Sequence, residues 1–190
     1  MSKYFTSDWH FSHRGIIDFS KRPFDNIEQM DDTIINNVLA TVRDGDEIYF
    51  LGDLTWNHTT AERFFRQLPD KVQFHWILGN HEKGWQRYKR NCSSISYMKE
   101  VKINKHPVIL CHYPMLTWNK SHYNSWHLFG HHHYKSHGWR HVEKMSKGKM
   151  LNVNVEFNDY QMWSESQIEK YMEKQKNNWD FIEKKDKKKK

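Results

Sequence analysis

At 190 residues the chain can fill one core but not two, and although only 37% of it is hydrophobic, 9 Trp, 9 Tyr and 11 Phe bury a large area per residue. No apolar run approaches bilayer length, and Cys92 and Cys111 are too far apart for a disulfide framework, which excludes membrane-spanning and disulfide-stapled classes. The net charge of +7 suggests an anionic partner, but five of its seven units come from the six lysines and one aspartate of Lys184–Lys190.

Nothing in Met1–Tyr4 reads as a secretory leader, so a reduced, cytoplasmic setting is expected. Lys3 to Ser7 is a first strand by its aromatic and β-favouring residues. Asn26-Ile27-Glu28-Gln29 reads as a capping box, followed by a helix with Met30, Ile34, Val38 and Val42 inward and Asp44-Gly45 at its end. A second strand, Glu47 to Leu51, leads to Gly52-Asp53. Thr59 or Thr60 is expected to cap a short helix through Leu68, and a third strand, Lys71 to Leu78, runs into Gly79-Asn80-His81. Ile95 to Ile103 and Pro107 to Cys111 predict a hairpin around Asn104-Lys105. Further strands are expected over Trp126 to Phe129 and Met150 to Val155, then a helix from Gln167 to about Asn178 capped by Ser164 or Ser166. The unit is a single domain over 1–180. Residues 181–190 are a Lys-rich tail, expected to be disordered and to attract nucleic acid weakly and without specificity. Alternating strands and helices followed by hairpins predict an α/β fold, a four-layer α/β/β/α sandwich with two mixed β-sheets.

Five polar clusters stand where hydrophobic runs end: Ser7-Asp8-Trp9-His10, Gly52-Asp53, Gly79-Asn80-His81-Glu82, Cys111-His112-Tyr113-Pro114 and Gly130-His131-His132-His133. Any one alone reads as a polar turn. Together they can converge, because open sheets present ligands beyond the carboxyl ends of their strands. Asp8 and His10, two apart, are expected to leave a strand end on one side, as are His131 and His133, with His132 facing away. Asp, Asn and His form a mixed oxygen and nitrogen donor set suited to divalent transition metals, Mn above all, with Fe, Zn or Ni also accepted. A carboxylate can bridge two cations, and Asp53 is the natural candidate. Glu82 reads as structural, and neither cysteine sits in an activated motif.

The order D-x-H, G-D, G-N-H-[DE], H, G-H-x-H resembles the calcineurin-like metallophosphoesterase superfamily. Phe5–Phe11, Arg22-Pro23-Phe24, His112–Met115 and Leu128–His131 are further similar to segments of its compact bacterial and phage branch. The resemblance implies a first metal held by Asp8, His10, Asp53 and His133, and a second held by Asp53, Asn80, His112 and His131. It implies that His81 is the catalytic histidine, contacting phosphate and protonating the leaving oxygen, with in-line attack by a metal-bridging hydroxide. His13 and Arg14, in the loop after His10, are the best remaining candidates for substrate contact. Trp9, Trp56, Trp85 and Trp118 lie near motif loops and are read first as packing and second as surfaces on which a base stacks. The favoured function is a metal-dependent phosphohydrolase acting on small phosphodiesters of nucleotide type. The alternatives are a nuclease on DNA or RNA, a phosphomonoesterase, and a non-catalytic protein-binding scaffold.

Overall fold

The computed structural model describes residues 1–134 and 148–178. The first sheet is built from β1 (Lys3–Thr6), β2 (Glu47–Phe50), β3 (Gln73–Ile77), β4 (Ser94–Ser96) and β9 (Trp163–Ser164), in the order β4-β3-β2-β1-β9. Its first four strands run parallel, and β9 pairs antiparallel with β1. The second sheet holds β5 (Met98–Ile103), β6 (His106–Cys111), β7 (Trp126–Phe129) and β8 (Met150–Asn152), with β5 antiparallel to the parallel run β6-β7-β8. Among the described residues the α-helices are α1 (Arg14–Ser20), α2 (Ile27–Thr41), α3 (His58–Gln67) and α4 (Glu165–Met172). None of the described helices is long and apolar enough to cross a membrane.

Strand alternation divides the core. Ile48, Phe50, Phe74 and Trp76 face Met30, Ile34, Val38 and Phe64 of α2 and α3. Phe5, Tyr49, Leu51 and Ile77 point the other way, onto Val108, Leu110, Leu128 and Leu151 of the second sheet. The expected pair of mixed sheets in an α/β architecture is therefore present. Ile168 and Met172 of α4 join the layer between the sheets, while Met115 and Trp118 lie over the outer face of the second sheet, against Ile109, Phe129 and Met150.

Several local expectations change. Asn57, not Thr59 or Thr60, caps α3, its Oδ1 accepting from Thr59 N at 3.0 Å. The strand expected from Ile95 to Ile103 is two strands in different sheets, with Tyr97 between them. α1, expected as loop, forms a short helix that buries Ile16. α4 starts at its Ser164 capping box but stops at Met172, because Lys174–Asn177 carries no apolar residue to bury; Asn178 instead donates to Leu116 O at 2.7 Å. The tail at 181–190 lies outside the described residues, as do His137 and His141.

Candidate metal centre

The expected clusters meet at the carboxyl ends of both sheets, but local backbone strain sets their aim. β1 ends at Thr6, and Asp8 and His10 both adopt positive φ, 58° and 52°, so they do not share a strand face. Trp9 between them is wholly buried, with ring centroids 4.6 Å from Phe50 and 5.0 Å from Phe64. Its Nε1 donates to Thr6 Oγ1 at 3.0 Å. With Trp9 planted in the core, its two neighbours are turned into the site. Asp53 and His131 are also left-handed, at 62° and 69°. Such a conformation costs a non-glycine residue about 1–3 kcal/mol. Buried backbone bonds offset it: Asp8 N donates to Gly52 O at 2.8 Å and His10 N to Asp53 O at 3.0 Å.

The glycines ahead of the candidate ligands answer to crowding. Gly52 has φ of +93°, and a Cβ there would stand 2.6 Å from His112 Nδ1 and 2.7 Å from Gly79 N. A Cβ on Gly130 would stand 2.5 Å from Asp8 Oδ2. Neither gap admits a methyl group.

Two groups of donor atoms lie within 4.8 Å of one another, Asp8 with His10 and His133, and Asp8 with Asp53 and His112. Asp53 Oδ2 stands between the halves, 3.6 Å from His10 Nε2 and 3.6 Å from His112 Nε2. Asp8 Oδ1 is 4.0 Å from His10 Nε2 and 3.8 Å from His133 Nε2. Asn80 Oδ1 lies 3.0 Å from both His112 Nε2 and His131 Nδ1. All seven expected ligands thus come together. His81 borders them, its ring 5.7 Å from that of His10 and its backbone N donating to Asp53 Oδ1 at 3.0 Å.

Outer contacts hold each ring. His112 Nδ1 is 2.6 Å from Leu51 O, which turns Nε2 into the site. His133 Nδ1 is 2.8 Å from Glu156 Oε1, which also accepts from Arg22 Nε at 2.8 Å. Arg22 donates further to Asp8 O at 2.7 Å and Trp9 O at 3.0 Å, so one buried cation ties the Asp8 turn to the Glu156–His133 pair. Glu82 accepts from Asp53 N at 2.5 Å, Gly79 N at 3.3 Å and Trp76 Nε1 at 3.2 Å, clasping two ligand loops in the structural role expected of it. Asn152 donates to His132 O at 2.8 Å, and Asp31 accepts from Ser12 N at 3.0 Å. Glu156, Asn152 and Asp31 escaped the sequence reading. Arg22 stood in a quoted segment without a role, and Glu156 carries no local signal because His133 is 23 residues away.

Burial and neighbouring charges shift several groups of the site. Burial pushes the Asp8 carboxyl up against the pull of His112 and His133. Burial, then His133 and Arg22, hold His10 well below the usual imidazole value, so its ring is neutral. His131 is lowered to about 4 by burial and His112. Glu82 is raised to about 7 by burial and Asp53. Burial also opposes the charge on Glu156, but Arg22 and His133 outweigh it and hold that carboxyl below its ordinary range.

Residues 1–186 match the sequence model of the calcineurin-like phosphoesterases. The chain belongs to that family. An uncharacterized protein of Methanocaldococcus jannaschii is 33% identical over 176 residues, spanning 91% of this chain and 92% of the relative. A crystal structure of a protein of unknown function from Aquifex aeolicus superposes with a TM-score of 0.71 at 25% identity, covering 90% of this chain and 98% of that one. Members of the family bind divalent metals, and this calcineurin-like site passes a test of fit. Among the described residues, His10 Nε2 is buried without a hydrogen-bond partner, while it lies 4.0 Å from Asp8 Oδ1 and 3.6 Å from Asp53 Oδ2. The imidazoles of His10 and His131, their pKa values held low by burial, stand with the buried carboxylates of Asp8 and Asp53 in a donor set that a divalent cation completes.

Beside the cluster this calcineurin-like chain opens a cleft of about 590 Å³ bordered by His13, Phe19, Asp53, Asn80 and His81. His13 borders it as expected, but Arg14 is exposed at the start of α1 and does not. His132 borders it too rather than facing away, because His131 takes the left-handed turn between them and Gly130. Of the four tryptophans near motif loops, Trp9 and Trp118 are buried and serve packing, whereas Trp56 is 57% exposed.

Proposed function

We propose that the protein is a metal-dependent phosphohydrolase with a dinuclear centre that cleaves phosphodiesters of nucleotide type. The observation that carries this reading is Asp53 Oδ2, equidistant at 3.6 Å from His10 and His112 on the two halves of the cluster. Asp8, His10, Asp53 and His133 would hold one cation, and Asp53, Asn80, His112 and His131 the other. When bound, divalent cations, Mn²⁺ first and Fe, Zn or Ni as alternatives, supply Lewis acidity that activates water and neutralises phosphoryl charge. His81 stands at the edge of the cluster, where it contacts the phosphate and delivers a proton to the leaving oxygen. Room on both sides of His81 favours a diester, whose phosphorus carries two organic groups.

The test compares hydrolysis of an aryl phosphodiester and the matching monoester by metal-stripped protein, before and after Mn²⁺. The expected result is Mn²⁺-dependent cleavage of the diester that His81→Ala lowers by about 10²–10⁴-fold, with Mn²⁺ still bound by that variant. A preference for the monoester refutes the diester assignment. Unchanged turnover in His81→Ala, Asp53→Asn and His112→Ala refutes the site.

A further inference from the structure

A second groove of about 350 Å³ lies against the cluster of candidate ligands, lined by Thr55, Trp56, His58, Asn80, His81 and Lys83. It shares Asn80 and His81 with the main cleft, so His81 stands between the two spaces. Trp56 is exposed but fixed. Its backbone N donates to Phe11 O at 2.8 Å, and its ring stacks on His13 with centroids 4.3 Å apart and planes at 14°. His13 covers one face, and the Trp56 ring also lines the groove, its centroid 5.3 Å from that of His81. His58 is steadied by Tyr88 OH at 2.9 Å from its Nδ1. Lys83 is exposed, and among the described residues no acid pairs with it.

We infer that this groove seats a nucleotide leaving group, its base stacked on Trp56 and its own phosphate facing Lys83. The inference rests on the phosphodiester reading above and adds the identity of the departing half. A proton delivered by His81 requires the leaving oxygen to lie beside that ring, and the groove is one of the two spaces adjoining it, the main cleft being left for the retained half. In the reaction the water oxygen forms the new P–O bond and sheds its proton to solvent. The P–O bond to the leaving nucleotide breaks with its electron pair on oxygen, which takes the His81 proton. A pre-held aromatic face loses little conformational freedom on binding, and every base offers a π-face to it. A single lysine among the lining residues suits one phosphate and is too little for a long polyanion.

The experiment compares the deoxydinucleotide dApdA with the methyl ester of deoxyadenosine 3′-phosphate, which share the retained half and differ in the departing alcohol. The Mn²⁺-loaded protein is expected to prefer dApdA by about tenfold in kcat/KM, as one stacked base supplies. Trp56→Ala should abolish that preference, Trp56→Phe should restore most of it, and Tyr123→Ala, at the far end of the second sheet, should leave it intact. A further 3′-phosphate on the departing nucleotide should lower KM in the wild type and not in Lys83→Ala. Equal rates for the two esters, or a preference that survives Trp56→Ala, would overturn the inference. A binding measurement separates it from the reading it rests on. Deoxyadenosine titrated into metal-free protein should shift the Trp56 indole N–H signal, identified by its absence in Trp56→Ala. If that signal moves while no diester is cleaved, the hydrolase reading fails and the base site stands; an unmoved signal refutes the base site.

Discussion

Replacing Glu156 by Gln would test whether a residue outside the candidate ligands governs the site. The carboxylate is 2% exposed and accepts two charge-assisted bonds at 2.8 Å, from Arg22 Nε and from His133 Nδ1. Stranding one partner of a buried ion pair costs about 3–5 kcal/mol. Gln keeps the volume and a neutral acceptor, and Arg22 keeps Asp8 O and Trp9 O, so about 2 kcal/mol should remain as the loss. The assay is urea unfolding of metal-free protein at pH 7, beside calorimetric titration with Mn²⁺. Mn²⁺ affinity should fall by about tenfold, the lower end for losing a carboxylate behind a metal-binding imidazole. The folded pKa of Glu156 lies below its ordinary 4.5. Its ionised form therefore stabilises the fold fully above pH 4.5, and the advantage over Gln should vanish as pH falls through the depressed folded value. A variant equal to wild type in both unfolding and Mn²⁺ affinity would refute the bracing role. So would a gap that widens on acidification.

Three other substitutions probe the scaffold. Gly130→Ala places a Cβ 2.5 Å from Asp8 Oδ2; thermal unfolding should show a loss of about 1–3 kcal/mol, and Mn²⁺ titration at least an order-of-magnitude loss of affinity. Trp9→Ala empties a wholly buried site and should cost about 3–5 kcal/mol in urea unfolding, with Mn²⁺ binding weakened because Asp8 and His10 lose their anchor. Asp31 is raised to about 6 by burial, against the hydrogen bonds from Ser12. Its contribution is fully present below pH 3.8 and lost as pH rises through 6, so wild type should lose stability relative to Asp31→Asn across that interval. Parallel stability profiles would rule this out.

The parts of this fold legible in sequence are those governed by short-range rules. The α2 stripe of Met30, Ile34 and Val38 follows from helical period alone, and Asn26 caps it with Oδ1 accepting from Gln29 N at 2.8 Å. The hairpin across Asn104-Lys105 is equally local, Ile103 pairing with His106. By contrast, β-favouring residues run on from Ser94 to Ile103, and nothing in the side chains announces that the chain bends at Tyr97 and passes from one sheet to the other. The cap of α3 slid to Asn57 because several polar residues in a row can each play that part, and the pairing of Thr55 and Trp56 with Phe11 just before it holds the chain extended up to Asn57.

For the site, the identity of the donors and their grouping into five clusters came from sequence, since metal chemistry demands particular side chains at the ends of strands. Their aim came from tertiary structure. Trp9 turns Asp8 and His10 inward by packing into the core, and the crowding at Gly52 and Gly130 exists only once His112, Gly79, Ser7 and Asp8 have been brought against them. Glu156, distant in the chain from both Arg22 and His133, joins them only once β8 has been laid beside β7. The physical reason is range: propensity and periodicity act within a few residues, whereas buried charge pairing and van der Waals exclusion act between whatever the folded chain brings together.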